Sequence, residues 1–259
     1  SLIKSESLIE IAKIAEDKDI YLLTDEVYAR MVFGEPEKFF SIGLYDACKK
    51  RTIIANGFSK AFAMTGWRLG VAIGPVDVIE KMMLVLQTIH SCVPPFIQEG
   101  GIEAIRGDKS GLKLMMEAYK NNRDYLVENL NLIKGITCLK PDGAIYVFAN
   151  IKGTGMSSEV FSDYLLNECG IAVLPGNNFG DFGEGYIRLS YTISIELIKE
   201  AIEKMKIALN QAQLAYELNE VPVGAALFDI NGELICADHN RRELNQDPTA
   251  HAEILVLKR

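Results

Sequence analysis

What most limits the fold of this chain is a short apolar run, Thr52-Ile53-Ile54-Ala55, that stops at Asn56-Gly57 and passes at once into Ser59 and Lys60. Small and β-branched apolar residues closed by a glycine read as a strand over 51–57. A second strand, expected over 20–24, stops at Asp25, with Glu26, Val27 and Tyr28 following. In an open α/β sheet, ligands bind in the crevice beyond the carboxyl ends of the strands. An amine, a carboxylate and a phenol are therefore expected at such strand ends. Arg68, eight positions after Lys60, adds a permanently charged planar fork suited to phosphate oxygens, and the Ser59 hydroxyl adds a donor.

Those residue types suit an aldehyde cofactor that carries a phosphate, namely pyridoxal 5′-phosphate. A lysine amine captures the aldehyde as a Schiff base. A carboxylate against the pyridine nitrogen keeps it protonated, so that the ring can accept electrons from a substrate carbanion. Taken singly, each residue has an ordinary reading: Asp25 as a turn residue, Tyr28 as a core aromatic, Arg188 as half of an ion pair. A lone Ser-Lys pair has no specificity. The specificity lies in the order: Thr24-Asp25-Glu26-Val27-Tyr28, then the run from Asn56 through Ser59-Lys60 and Trp67-Arg68 to Gly70, then Glu184-Gly185-Tyr186-Ile187-Arg188-Leu189-Ser190.

On those motifs, residues 1 to about 205 resemble the carboxyl-terminal half of a class I aminotransferase, of the pyridoxal-phosphate fold-type I superfamily. The resemblance implies that Lys60 is the Schiff-base lysine and proton shuttle and Asp25 the pyridine-nitrogen partner. It likewise implies that Tyr28 donates to the ring oxygen, that Ser59 and Arg68 hold the phosphate, and that Arg188 pairs with the substrate α-carboxylate. Amino acids and 2-oxo acids are the implied substrates, and a homodimer the implied assembly. In the resembling enzymes a glycine-rich phosphate cradle and a ring-stacking aromatic precede the first helix found here. The expectation is that this chain holds the Schiff-base half of a site.

The element pattern predicts a partial large α/β domain over 1–95, with a helix over 5–17, strands over 20–24, 52–57 and 68–73, and a helix over 76–90. A small α+β domain follows over 96–205. It is read as a long helix over 112–132, strands near 136–150, a helix over 157–168, strands over 171–174 and 185–191, and a helix from Ile195.

From about Met205 the sequence is similar to a tRNA-adenosine or related cytidine-deaminase-like zinc deaminase. Strands are predicted over 221–228 and 233–238 with Asn231-Gly232 as the hairpin turn. The run Asp247-Pro248-Thr249-Ala250-His251-Ala252-Glu253 then matches a His-x-Glu element. That resemblance implies His251 as a zinc ligand, Glu253 as the proton-shuttling catalytic carboxylate and Asn240 as a base-contacting residue. A catalytic zinc takes three protein ligands, and none of Cys48, Cys92, Cys138, Cys169 and Cys236 stands at metal-clip spacing from another. Zinc is thus expected only with a complete deaminase part; over 206–259 the expectation is a truncated β-hairpin and helix. The final helix of the first segment reads straight into the second. That continuity fits a fusion of two enzymes, an inactive fusion fragment, or a join of neighbouring genes.

Composition narrows the function classes. A net charge of -8 argues against a broad nucleic-acid surface, which needs clustered lysine and arginine. Scattered cysteines fit a reducing compartment, and a cytoplasmic location is expected. No apolar stretch reaches the length of a bilayer span.

Overall fold

The computed structural model describes residues 2–34, 39–45, 48–229 and 232–259. Two compact units emerge, one of residues 1–118 with 141–144, the other of 119–140 with 145–259. The division falls inside a helix rather than near residue 95, and none falls near 205.

The first unit begins with α1 (Ser5–Asp17), β1 (Leu22–Asp25) and β2 (Thr52–Gly57). Arg51 ties the end of α1 to the start of β2, donating through Nη1 to the Ala15 carbonyl at 3.3 Å and to Asp19 Oδ1 at 3.1 Å. Of the expected apolar face of α1, only Ala12 and Ala15 are buried. The next elements are β3 (Gly70–Ile73), α2 (Val76–His90) and α3 (Pro95–Arg106). The sheet order is β1-β2-β3, with β1 parallel to β2 and β3 antiparallel to it. The strand expected from 68 starts at Gly70, because Thr65–Trp67 forms a 3-10 turn and Arg68 takes a left-handed φ of 52°. Helix α3 was not expected from the sequence. Pro95 stands at its first position, where a missing N–H costs nothing.

The second unit takes up α4 (Ser110–Leu130) from Tyr119 onward, then β4 (Thr137–Cys138), β5 (Tyr146–Asn150), α5 (Ser158–Cys169), β6 (Leu174–Pro175), β7 (Tyr186–Ser190) and α6 (Ile195–Glu217). Its antiparallel sheet runs β4-β5-β7-β6. The strand expected over 171–174 shrinks to two residues, the second a proline with no N–H for the ladder. Phe161, Leu165, Ile187, Tyr191, Ile202 and Met205 are nearly or wholly shut off from solvent and form the core of this unit. Asn122 Nδ2 fastens α4 to the exit of β7, donating to the carbonyls of Tyr191 at 3.0 Å and Ile193 at 2.8 Å. Serines cap both later helices: Ser157 accepts from the Val160 N–H and Ser194 from the Leu197 N–H.

Helix α6 is continuous for 23 residues. Its buried residues, Ile198, Ile202, Met205, Ala208, Ala212 and Ala215, recur at three- and four-residue steps and so form one stripe. The stripe begins bulky and ends in alanines, which lets a backbone approach. The hairpin of β8 (Gly224–Phe228) and β9 (Leu234–His239) seats there. A methyl group on Gly224 would stand 2.5 Å from both the Ala208 carbonyl oxygen and the Ala212 nitrogen. The next residue, Ala225, points to the other face and packs with Ala252 and Val256 of α8 (Ala252–Leu257), which follows the short α7 (Arg242–Asn245). The hairpin is thus layered between α6 and α8. Asn231 of the expected turn lies outside the described residues.

Candidate functional site

Lys60 follows β2 on a turn built around Phe58. The Phe58 N–H donates to the Leu69 carbonyl at 3.2 Å, and the Phe58 carbonyl accepts from Phe62 at 3.3 Å and Met64 at 3.4 Å. The Ala63 N–H reaches back to the Lys60 carbonyl at 3.2 Å, with Ala63 itself at a left-handed φ of 52°. Beneath this turn, Phe58, Met64 and Leu69 form a small core. Two glycines of α3 make room for it. A methyl on Gly100 would meet the Trp67 ring at 2.6 Å, and one on Gly101 would meet Leu69 Cδ2 at 2.5 Å. Ser59 and Lys60 are left half-buried.

Asp25 ends β1, level with Ala55 of β2. Its Oδ1 accepts from the Val27 N–H at 3.1 Å. The neighbouring Glu26 is buried; its N–H donates to the Ala55 carbonyl at 2.8 Å and its carboxylate accepts from the Ser41 hydroxyl at 2.7 Å. Glu26 thereby fixes the chain that presents Asp25. Asp25 and the half-buried Tyr28 line one cavity of about 370 Å³, together with Thr24, Phe39, Phe40 and Ala144. Ser59, Lys60 and Arg68 are not in that lining. Arg68 is exposed and folded onto its own turn, donating from Nη1 to the Thr65 carbonyl at 3.0 Å. Among the described residues, neither the Lys60 amine nor the Asp25 carboxylate has an ion-pair partner.

Arg188 belongs to the second unit, on β7 between Phe148 of β5 and Leu174 of β6 in register. Its guanidinium lies 4.3 Å from the Tyr146 ring centre and 4.2 Å from that of Phe179. Aromatic faces attract the cation and hold its plane. No carboxylate of the described residues pairs with it. Phe179 was not singled out from the sequence: it ends a 3-10 turn, Gly176–Phe179, with no periodic signal.

The tail residues have structural employment. Asn240 is 2% exposed, and its amide is used on both sides: Nδ2 donates to the Val221 carbonyl at 3.2 Å and Oδ1 accepts from the Ala252 N–H at 2.8 Å. It closes the amino end of α8. His251 is the residue before α8 and makes no cap bond. Glu253 is exposed on α8, and its charge adds to the effect of burial in raising Glu168 of α5 above the usual carboxylate range. Next to these, Asp238 is 2% exposed, with Arg241 Nη2 at 2.5 Å from Oδ1 and Arg259 Nη2 at 3.0 Å from Oδ2. Sequence reading did not single out that cluster.

Asp25 and Lys60 fit the ring-nitrogen and aldehyde ends of pyridoxal 5′-phosphate: one is a carboxylic acid and the other an amine, each stands at or just beyond a strand's carboxyl end, and among the described residues neither has an ion-pair partner. For zinc the fit fails, since among the described residues no three His, Cys, Asp or Glu side chains come together.

Two family models match the chain. The family described as aminotransferase class I and II matches residues 1–205, and the cytidine and deoxycytidylate deaminase zinc-binding region matches residues 198–259. The aspartate aminotransferase of Pyrococcus horikoshii is 43% identical over 201 residues, 77% of this chain and 51% of that protein. The aromatic-amino-acid aminotransferase 2 of Thermococcus litoralis is 39% identical over 83% of this chain and 55% of its own length. Among solved structures, an aromatic aminotransferase from Pyrococcus horikoshii superposes with a TM-score of 0.77 at 35% identity, covering 85% of this chain and 57% of that one. The chain spans about half the length of the relatives it matches. With four-fifths of its residues inside the first match and the lysine turn, the Asp25 strand end and the ring-clamped Arg188 all in that stretch, the chain belongs to the class I and II aminotransferase family.

Proposed function

We propose that this chain carries the lysine-bearing half of a pyridoxal 5′-phosphate-dependent aminotransferase, moving an amino group between an amino acid and a 2-oxo acid. The reading rests first on the Lys60 amine, half-buried beyond β2, one strand over from Asp25, and without an ion pair among the described residues. When bound, the cofactor supplies an electron sink for the bond broken at the substrate α-carbon. Lys60 would hold the cofactor through its aldehyde and would move the proton at the substrate α-carbon. Asp25 keeps the ring nitrogen protonated, and Tyr28 donates to the ring oxygen. Ser59 and Arg68 hold the phosphate, Arg68 by turning from the Thr65 carbonyl. Arg188 pairs with the substrate carboxylate through two parallel N–H donors, its plane set by Tyr146 and Phe179. The same reading expects a homodimer in the cytoplasm, to be checked by sedimentation mass and cell fractionation.

The test is direct. The chain is incubated with pyridoxal 5′-phosphate, reduced with borohydride and digested, and the adduct is mapped by mass spectrometry. The expected adduct lies on Lys60, vanishes in Lys60→Ala and weakens in Asp25→Ala. Labelling spread evenly over the lysines overturns the reading. Zinc chemistry over 206–259 gains no support from the described residues, among which no three His, Cys, Asp or Glu side chains come together.

A further inference from the structure

The second unit holds a cavity that the proposed chemistry does not use. About 530 Å³ of space lies between one side of α6, the loop after α4 and the turn after β5. Small-molecule sites commonly have this size. Contacts within the protein fix its walls. Lys206 Nζ on α6 donates to Asn129 Oδ1 on α4 at 2.9 Å, which ties the two helices together. Gly135 and Gly153 meet backbone to backbone: a methyl on Gly135, whose φ is 87°, would stand 2.8 Å from the Gly153 carbonyl carbon. Thr154 holds its own turn, donating from Oγ1 to the Ile151 carbonyl at 2.7 Å and accepting from the Met156 N–H at 3.3 Å. Pro222 adds a further wall, and Asn240 fixes both of its neighbours. Asn240 Nδ2 donates to the Val221 carbonyl at 3.2 Å, and its backbone N–H donates to the Val223 carbonyl at 3.1 Å. The cavity is therefore preformed.

Its lining is one-sided in charge. Lys134 supplies an ammonium, and no aspartate or glutamate lines the space. Among the described residues Lys134 has no ion-pair partner. Asn210 adds an amide that no side-chain hydrogen bond of the described residues engages. The rest is largely apolar or aromatic, with Leu209, Met156, Pro222 and Tyr216, the last 67% exposed. One cation with an amide donor matches a single negative charge, and a thioether with an open aromatic face suits a planar ring. We propose that this cavity binds a small aromatic monocarboxylate, its carboxylate on Lys134 and Asn210 and its ring against Tyr216 and Met156. The loop that carries Lys134 lies within the aminotransferase match, whereas Leu209, Asn210, Tyr216 and Pro222 lie beyond it. The site thus needs both parts of the chain, and neither Lys60 nor Arg188 lines it.

The test is calorimetric titration of the full chain with 3-phenylpropionate, which has neither an amino nor an oxo group to transfer. Binding should saturate and should slow hydrogen exchange over 209–216. 3-Phenylpropanamide, which lacks the charge, and propionate, which lacks the ring, should each bind at least about tenfold more weakly. Lys134→Met should weaken 3-phenylpropionate binding by about the same factor, and Tyr216→Ala by at least about threefold. Both side chains are exposed, and circular dichroism checks that the variants stay folded. Lys258→Met, at an exposed lysine just after α8, and Arg188→Ala should leave binding unchanged. No saturable binding up to about 10 mM overturns the proposal. So does binding that survives Lys134→Met, or that fails to distinguish the amide from the acid. Loss of binding in Arg188→Ala alone would put the carboxylate on the substrate arginine, overturning this site while supporting the aminotransferase reading.

Discussion

Replacing Gly224 by alanine tests whether the hairpin is seated on α6. The added methyl would stand 2.5 Å from the Ala208 carbonyl oxygen and from the Ala212 nitrogen, both backbone atoms of a helix that cannot yield locally. Ordinary contact starts near ~3.4 Å, so β8 must retreat by about 1 Å, and overpacking of this kind costs about 1–3 kcal/mol. The retreat also loosens the hydrogen bond that the Tyr164 hydroxyl donates to the Gly224 carbonyl at 3.2 Å. Losing it adds about 1 kcal/mol. At roughly 2–4 °C per kcal/mol for a domain of this size, the melting temperature should fall by about 4–16 °C. Hydrogen exchange over 224–239 should speed up by a comparable free energy. Gly111→Ala is the control: it lies on α4 with open space around its added methyl, and should be neutral or slightly stabilising. If Gly224→Ala melts with the parent and the β8 amides stay protected, the hairpin does not rest on α6 and the layered arrangement is wrong.

Asn122→Ala removes the amide that donates to the buried Tyr191 and part-buried Ile193 carbonyls, and should cost about 2–4 kcal/mol in denaturant unfolding, whereas a surface asparagine change should not. Among the cysteines, exposed Cys92 should react first with a thiol reagent at pH 8, while Cys138 and Cys169, whose thiols burial pushes up to about 11 and about 12, should resist until unfolding; early labelling of either would show the core misplaced. Because these thiols stay protonated longer folded than unfolded, their contribution to stability is lost as pH rises from 9 through those values. His239 has the opposite sign: burial, then the nearby Arg241, lower it below its ordinary 6.5, so the folded state resists protonation and stability should drop as pH falls below 6.5. Changing His239 to glutamine should flatten that acid limb in unfolding curves measured from pH 8 to 5.

Where pattern and local chemistry agree, the sequence was legible. The three- and four-residue steps from Ile198 to Ala215 fix α6, and the β-branched run before Gly57 fixes β2 and hence the place of Lys60. What escaped depends on contacts between distant residues. Helix α3 was hidden behind Pro94-Pro95, and its two glycines gain meaning only from Trp67 and Leu69 lying against them. Phe179 meets Arg188 only because a turn carries it back over β7. Asn240 was singled out for a base contact from its motif, while its local role, a buried amide bridging Val221 and Ala252, needed the structure to be seen.

The unbroken course of α6 imposes a rule of phase on the stretch near Met205, where the two family matches overlap. Adding or removing one residue near Met205 would rotate everything downstream, the alanine seam and the hairpin on it together, by about 100° around the helix axis, carrying Gly224 away from the Tyr164 hydroxyl. Only changes close to whole turns, such as seven residues, keep both seams facing their partners, at a drift of about 20°. The two ends of α6 are in step, and any lengthening of that helix has to keep the beat.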